Sequence, residues 1–392
     1  MSTSPEARSF PPAAAPTRHS PSWRFQSAWH GTCATRSSNH KQRAMAKRRV
    51  LIVGSGERVR KAALPVFARA SEHFELAGVV SRQEKRIESE GREFQVTALA
   101  NLDTAALDDI DLVYMVVAKQ AVPAVLARLA ETPLSGASLL IETPVMLFRH
   151  MGHLDRLEKF ADVWVSEDTS CLPCFAPIAM LQAAGTLGEL RSVRLEESGY
   201  AYHGLAMAKA VLGCEGIVRA RQRSLAGGRR ERRLSLAHPS GTECEAVIID
   251  PRDYSRGKMR FEFEGGVVSD HPQGESEAVL ALEVQLEGDR PVAFRAGDAS
   301  FELDAEERDL MGVRGDGTGL TAWMDGMKRV GFLALLRQIA AGRGAYPLMD
   351  AVEDAVVDYH LEKLGRYWRT PLSDPRRRLA RLSYKLVTTI AR

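Results

Sequence analysis

Cysteine is scarce in this sequence: 392 residues carry five, at Cys33, Cys171, Cys174, Cys214 and Cys244. An odd, scattered set in a long chain excludes a disulfide framework and fits a reducing, cytoplasmic setting. Only Cys171 and Cys174 form a C-x-x-C step, with no second pair at zinc spacing. They read as loop and core residues, a redox pair being the alternative. Long apolar runs are missing too, since nothing approaches the about 18 residues of a bilayer span. No membrane helix and no membrane partner are expected. An excess of one charge is also missing once the chain is divided. Residues 1–48 hold eight Lys or Arg against the single acid Glu6, which leaves 45 basic and 49 acidic residues of the totals of 53 and 50. That body lacks the electrostatic footprint of a nucleic-acid binder, and no basic stripe is interleaved with aromatics. No His, Asp or Glu set has metal-ligand spacing, and no G-x-S-x-G step marks a hydrolase elbow, so neither a metal nor nucleic acid is expected.

What is present is an ordinary globular composition, 45% hydrophobic and 26% charged, in a chain too long for one core. Residues 1–44 are rich in Ser, Thr, Pro, Ala and Arg without periodicity and read as disorder. Their acid-poor composition fits a transit peptide and also a start codon placed upstream of Met45; the second reading is preferred, and the segment stands outside the fold. From Arg49 short β-branched runs (50–53, 74–80, 96–99, 112–117, 138–142, 163–166) alternate with helix-length stretches near 59–71, 84–91, 120–131 and 149–160. That alternation predicts an α/β fold, a doubly wound, Rossmann-type parallel sheet. After Leu190 the period changes to two, with strands expected at 191–198, 232–238, 243–250, 258–265, 278–288 and 291–297. They predict an α+β domain with one large, open, mostly antiparallel sheet. Helical periodicity returns at 321–341 and 348–366, and 376–392 reads as a basic amphipathic helix with a solvated face. The expected organisation is an extension over 1–47, a dinucleotide-binding domain over 48–168, a substrate or oligomerisation domain over 169–368 and a basic tail over 369–392. Arg229–Arg233, after Gly227-Gly228, reads as a hairpin with solvated charges.

The first strand runs into Gly54-Ser55-Gly56-Glu57-Arg58-Val59 and then a helix. In that context two glycines serve a tight turn and a close approach to pyrophosphate, whose charge meets the amides of the helix start. Gly54, Ser55, Gly56, Glu57 and Arg58 are thus the first cofactor candidates, and Arg58 offers phosphate a cation. The second strand ends in Ser81-Arg82, where an NAD site places a carboxylate on the ribose. A hydroxyl and a guanidinium suit a 2′-phosphate instead, so NADP is expected, with NAD as the alternative.

These landmarks, together with Ile141-Glu142-Thr143-Pro144, Tyr202-His203-Gly204-Leu205 and the late segment FLALLRQIAAGRGAYPLMDAVEDA, resemble the Gfo/Idh/MocA oxidoreductase family over roughly residues 48–368. The resemblance implies a nucleotide domain, a second domain whose open sheet joins subunits into a homo-oligomer, and hydride transfer between nicotinamide and a carbinol carbon, commonly of a sugar or cyclitol. It also places Val117, Ala118, Gln120, Glu142 and Thr143 beside the cofactor. The family's Glu-Lys-Pro step reads Glu142-Thr143-Pro144 here, so its lysine is lost, and a neutral hydroxyl cannot replace it as an acid. In the family's D-x-x-x-H arrangement His203 matches the histidine, but Gly199 stands in the aspartate's place. His203, Tyr200, Tyr202 and Lys119 are the remaining catalytic candidates. Lys119 sits at the end of the fourth strand, where it can bring an ammonium to the region the missing lysine served. Against these stand plainer roles: a cofactor or solvent contact for Lys119, a helix-start bond for His203, packing for the tyrosines. Two functions follow, an NAD(P)-dependent oxidoreductase acting on a small polar metabolite, or a catalytically silent nucleotide-binding sensor or partner subunit.

Overall fold

The computed structural model describes residues 47–390 apart from 102–106, 108, 200 and 273–278, and only the backbone at 135 and 387–390. The expected extension lies outside the described residues up to Ala46. In chain order the strands begin with β1 (Arg48–Val53), β2 (Phe74–Ser81), β3 (Lys85–Ser89), β4 (Arg92–Ala98), β5 (Leu112–Met115), β6 (Ser138–Glu142) and β7 (Val163–Ser166). They continue with β8 (Leu190–Glu196), β9 (Gly216–Ser224), β10 (Arg230–Ala237), β11 (Glu243–Asp250), β12 (Lys258–Phe263) and β13 (Gly266–Ser269). The last are β14 (Val279–Glu287), β15 (Arg290–Ala296), β16 (Ala299–Glu302), β17 (Tyr346–Pro347) and β18 (Arg366–Trp368). The helices are α1 (Leu64–Arg69), α2 (Val122–Leu129), α3 (Phe175–Ala184), α4 (Ala201–Leu212), α5 (Ala305–Met311), α6 (Met324–Ala340), α7 (Leu348–Leu364) and α8 (Arg378–Ile390). None of the described helices is long and apolar enough to cross a membrane.

Among the described residues eight strands form the first sheet, in the order β17-β7-β6-β5-β1-β2-β4-β3. From β4 to β7 the pairings are parallel, the arrangement of a Rossmann fold. Val50, Leu51, Ile52 and Val53 of β1 and all four residues of β5 are buried, as befits central strands covered on both faces. Since the chain winds to one side through β2 and to the other through β5, the carboxyl ends of β1 and β5 frame the switch-point crevice where such sheets bind ligands.

The helix expected at 84–91 is a strand. Lys85–Ser89 pairs antiparallel with β4 through a turn at Glu90 and Gly91, whose φ values are 48° and 72°. Its charged residues suit a helix by composition, but Ile87 and Ser89 are buried while their neighbours are exposed, which is the period of a strand. Ser89 also donates to the Arg60 carbonyl at 2.6 Å, fixing that face inward.

Among the described residues ten strands form the second sheet, in the order β16-β15-β14-β13-β12-β8-β11-β10-β9-β18. Only the β8–β11 and β13–β14 pairings are parallel, so the sheet is mostly antiparallel, as expected. Four of its strands, β9, β13, β16 and β18, were not among those expected. Arginines alternate with apolar residues in β9 and hide its period, and the other three are short. The Arg229–Arg233 hairpin forms, but its charges are not all solvated. Arg232 is 0% exposed and pairs with Asp250 at 3.0 Å, Asp358 at 2.6 Å and Glu362 at 2.9 Å. The register that pairs Arg232 with Ile248 places its side chain under α7, which supplies two of those acids.

The late helices return to the first sheet. α6 packs on Asp168–Cys171 so closely that a Cβ on Gly331 would lie 2.3 Å from the Asp168 carbonyl. The tail forms α8, which turns Ala380 and Tyr384 inward, pairs Arg381 with Glu158 and Lys385 with Asp155, and leaves Leu379, Leu382 and Leu386 exposed.

Candidate functional site

The site is assembled where the carboxyl ends of β1, β5, β6 and β7 meet the start of α4. β1 ends at Gly54, whose φ of +138° is open to glycine, and an added Cβ would sit 1.9 Å from the Val116 carbonyl. The strand can therefore turn only there and only with glycine. Above Gly56 an added Cβ would meet nothing within 4 Å, so the backbone is bare where a pyrophosphate would approach. The helix then starts with a π-type turn over Val59–Ala63 that runs into α1. A helix start leaves its first amides without intrahelical partners, a ready seat for phosphate. Val59, where a third small residue is usual, is fully buried. These residues fit a dinucleotide.

Arg58 turns away from that seat. Its guanidinium donates to Asp168 at 2.7 Å and to Glu142 at 3.4 Å, and lies 5.5 Å from the centre of the Phe332 ring. Burial works against its charge, but Asp168 and Glu142 outweigh burial and raise its pKa well above the ordinary value. Tyr114 of β5 donates to the same Glu142 carboxylate. Glu57 faces solvent and pairs with Lys61, and Ser81 closes a turn on the Gln83 carbonyl at 2.6 Å beside an exposed Arg82. Ala118 and Gln120 are exposed and Val117 is half-buried, so this turn lines the crevice mouth.

Lys119 reaches across from the turn after β5 and donates its Nζ to the Glu142 carbonyl at 2.6 Å. It therefore ends beside the Glu142–Thr143 peptide, one residue from the position whose lysine is missing. Burial pushes its pKa down to about 8, against the pull of Glu142 and Glu167. An amine that titrates there can exchange a proton near neutral pH.

Thr143 faces Glu167, just past β7, and donates to its Oε2 at 2.8 Å; Thr169 also donates to that carboxylate. Glu167 Oε1 lies 2.7 Å from His203 Nδ1, on the first turn of α4. Burial alone would raise the Glu167 carboxyl, but the His203 charge and the bonds from His203, Thr169 and Thr143 hold it below the usual carboxylate value. Carboxylate on Nδ1 fixes the ring. The Tyr202 ring lies 4.5 Å from the His203 ring, centre to centre. A Cβ at position 199 would lie 3.7 Å from the His203 Cβ. The side missing its acid thus adjoins the histidine, and Glu167 supplies a carboxylate from another strand.

Lys119, Glu142, Thr143, Tyr202 and His203 therefore come together, while Tyr200 lies outside the described residues. Glu167, Asp168 and Tyr114 were missed from the sequence. Their signal was position: Glu167-Asp168 directly follows a parallel strand, at the end where ligand residues gather. The C-x-x-C step does not form a reactive pair. Burial pushes both thiols up, and Cys171 takes a bond from Gln338 at 3.6 Å.

Residues 48–167 match the Gfo/Idh/MocA family, described as an oxidoreductase family with an NAD-binding Rossmann fold. Three solved structures share the fold over nearly their whole lengths at low identity. Myo-inositol dehydrogenase from Corynebacterium glutamicum has a TM-score of 0.53 and 17% identity, covering 83% of this chain and 100% of its own. Apo scyllo-inositol dehydrogenase from Lactobacillus casei has 0.52 and 12%, covering 83% and 98%. The super-repressor mutant of Gal80p from Saccharomyces cerevisiae has 0.56 and 11%, covering 84% and 99%. No curated protein sequence matches the chain.

Proposed function

We propose, from the match of residues 48–167 to the Gfo/Idh/MocA oxidoreductase family with its NAD-binding Rossmann fold, that the protein is an NADP-dependent oxidoreductase acting on a hydroxyl or carbonyl of a small polar metabolite, such as a sugar derivative. The observation that carries this reading is the Lys119 ammonium on the Glu142 carbonyl, which returns an amine to a site that lost one. A bound nicotinamide supplies or accepts hydride. Lys119 Nζ takes the proton of a substrate hydroxyl when the substrate is oxidised and returns it to the oxygen when the carbonyl is reduced. His203, oriented through Nδ1 by Glu167, hydrogen-bonds the same oxygen and holds it in place while Lys119 moves the proton. Glu142 is spent on Arg58 and Tyr114 and acts as scaffold. Ser81 and Arg82 hold the ribose phosphate that selects NADP, and the open sheet joins subunits.

A panel of polyols, aldoses and ketoses assayed for nicotinamide oxidation or reduction tests the proposal. Turnover that falls about 100-fold or more in Lys119→Met supports it, and unchanged turnover in that variant removes Lys119 from the chemistry. The second reading, a nucleotide-binding sensor or partner subunit, is favoured by Thr143 and Gly199. Tight NADPH binding with no turnover on any substrate of the panel decides for it.

A further inference from the structure

Within electrostatic reach of Asp168 lies a cation that the proposed chemistry does not use. Lys328, on the second turn of α6, donates its Nζ to the Tyr254 hydroxyl at 3.1 Å and lies 5.8 Å from the centre of that ring. It makes no ion pair among the described residues. Burial opposes its charge, yet Tyr254 and the Asp168 carboxylate raise its pKa. Asp168 is already taken by Arg58 at 2.7 Å. Arg252 brings a second cation to the Tyr254 ring, 5.0 Å from its centre. The ring is held from behind, because the Tyr254 carbonyl accepts from Thr321 Oγ1 at 2.7 Å and from the Thr318 amide at 3.1 Å.

A half-buried ammonium without a carboxylate costs stability that a methionine would not. Its place adds meaning to that cost. One turn along α6, Gly331 packs on the Asp168 carbonyl and Phe332 lies under Arg58. Asp168 adjoins Glu167, the carboxylate that orients His203. Lys328 thereby stands within electrostatic reach of Asp168, next in sequence to the carboxylate that orients His203, its charge left for something that arrives.

We propose that Lys328 and the Tyr254 hydroxyl, with Arg252 beside them, bind an oxyanion of the substrate, a carboxylate or a phosphate ester, so that the metabolite is an acidic polyol or its keto form. This rests on the oxidoreductase reading for the word substrate, but the anion site can be measured without turnover.

The test is calorimetric titration of the full chain with malonate and with inorganic phosphate, NADP being kept saturating so that its own phosphate seats are filled. Saturable binding of at least one anion is expected, weakened about 10-fold or more in Lys328→Met and less in Tyr254→Phe. Malonate alone identifies a carboxylate and phosphate alone a phosphate ester. Lys328→Met is expected to melt no lower than the parent, which separates lost binding from lost folding. Absence of saturable binding by either anion, or equal binding by Lys328→Met, overturns the proposal. NADPH affinity and anion binding measured on nucleotide-free samples of the same protein keep the two readings apart. If the parent binds malonate but no nicotinamide nucleotide, the oxidoreductase reading falls and the anion site stands.

Discussion

At the scale of single residues, amines, acids and one glycine are held in unusual settings. Lys119 has a pKa near 8, below its ordinary 10.5 because it is buried. In the proposed mechanism oxidation of a hydroxyl needs its free amine, so the rate of that direction should rise with pH through about 8 and level off. Carbonyl reduction needs the ammonium and should fall above the same pH. A pH profile of kcat/KM in both directions checks the pair of limbs, and Lys119→Met should remove them. Glu167→Gln keeps the volume but loses the charge that orients His203. It should lower kcat roughly 100-fold while leaving NADPH affinity intact, and a kcat unchanged by the substitution would mean that His203 needs no carboxylate. Gly54→Ala places a Cβ 1.9 Å from a carbonyl at a φ of +138°. A loss of roughly 3 kcal/mol in denaturant unfolding is expected, together with loss of nucleotide binding.

At the scale of elements, much of the fold was legible and the failures have physical causes. Continuous apolar runs announced β1, β5 and β6, because strands buried on both faces need no alternation. The fingerprint turn was legible because both glycines answer to geometry that the strand–helix step imposes. The segment 84–91 was misread because its charges favour a helix in composition, while the Glu90-Gly91 turn and the buried Ile87 belong to a hairpin. The site was half legible. His203 and Lys119 could be named from their neighbours in sequence, but Glu167 is 36 residues from its histidine, and only the sheet order brings them together. Arg232 makes the same point for stability, since its partners lie 126 and 130 residues away in α7. Arg232→Met should therefore cost about 3 kcal/mol in thermal or chemical denaturation, by stranding Asp250 beside a buried methionine. A loss below about 0.5 kcal/mol would show that Arg230, which also reaches Asp250 at 2.9 Å, suffices.

At the scale of the whole molecule, a Rossmann sheet and a second open sheet are joined by helices that come back to the first. Through Arg58 the fingerprint helix is tied to β6, to the exit of β7 and to the aromatic face of α6. The crevice is thus framed by segments far apart in the chain, and the nucleotide seat is the part of it on which the rest depends. If, as proposed, Arg82 holds the ribose phosphate at the outer end of that seat, Arg82→Glu should weaken NADPH about 10-fold or more and leave NADH nearly unchanged.

The most direct measurement is an equilibrium titration of the folded full chain with NADPH and NADH, followed by nicotinamide fluorescence. One saturable site per chain, tighter for NADPH, is the predicted result. A folded protein whose signal rises without saturation for either nucleotide would contradict the account at its base.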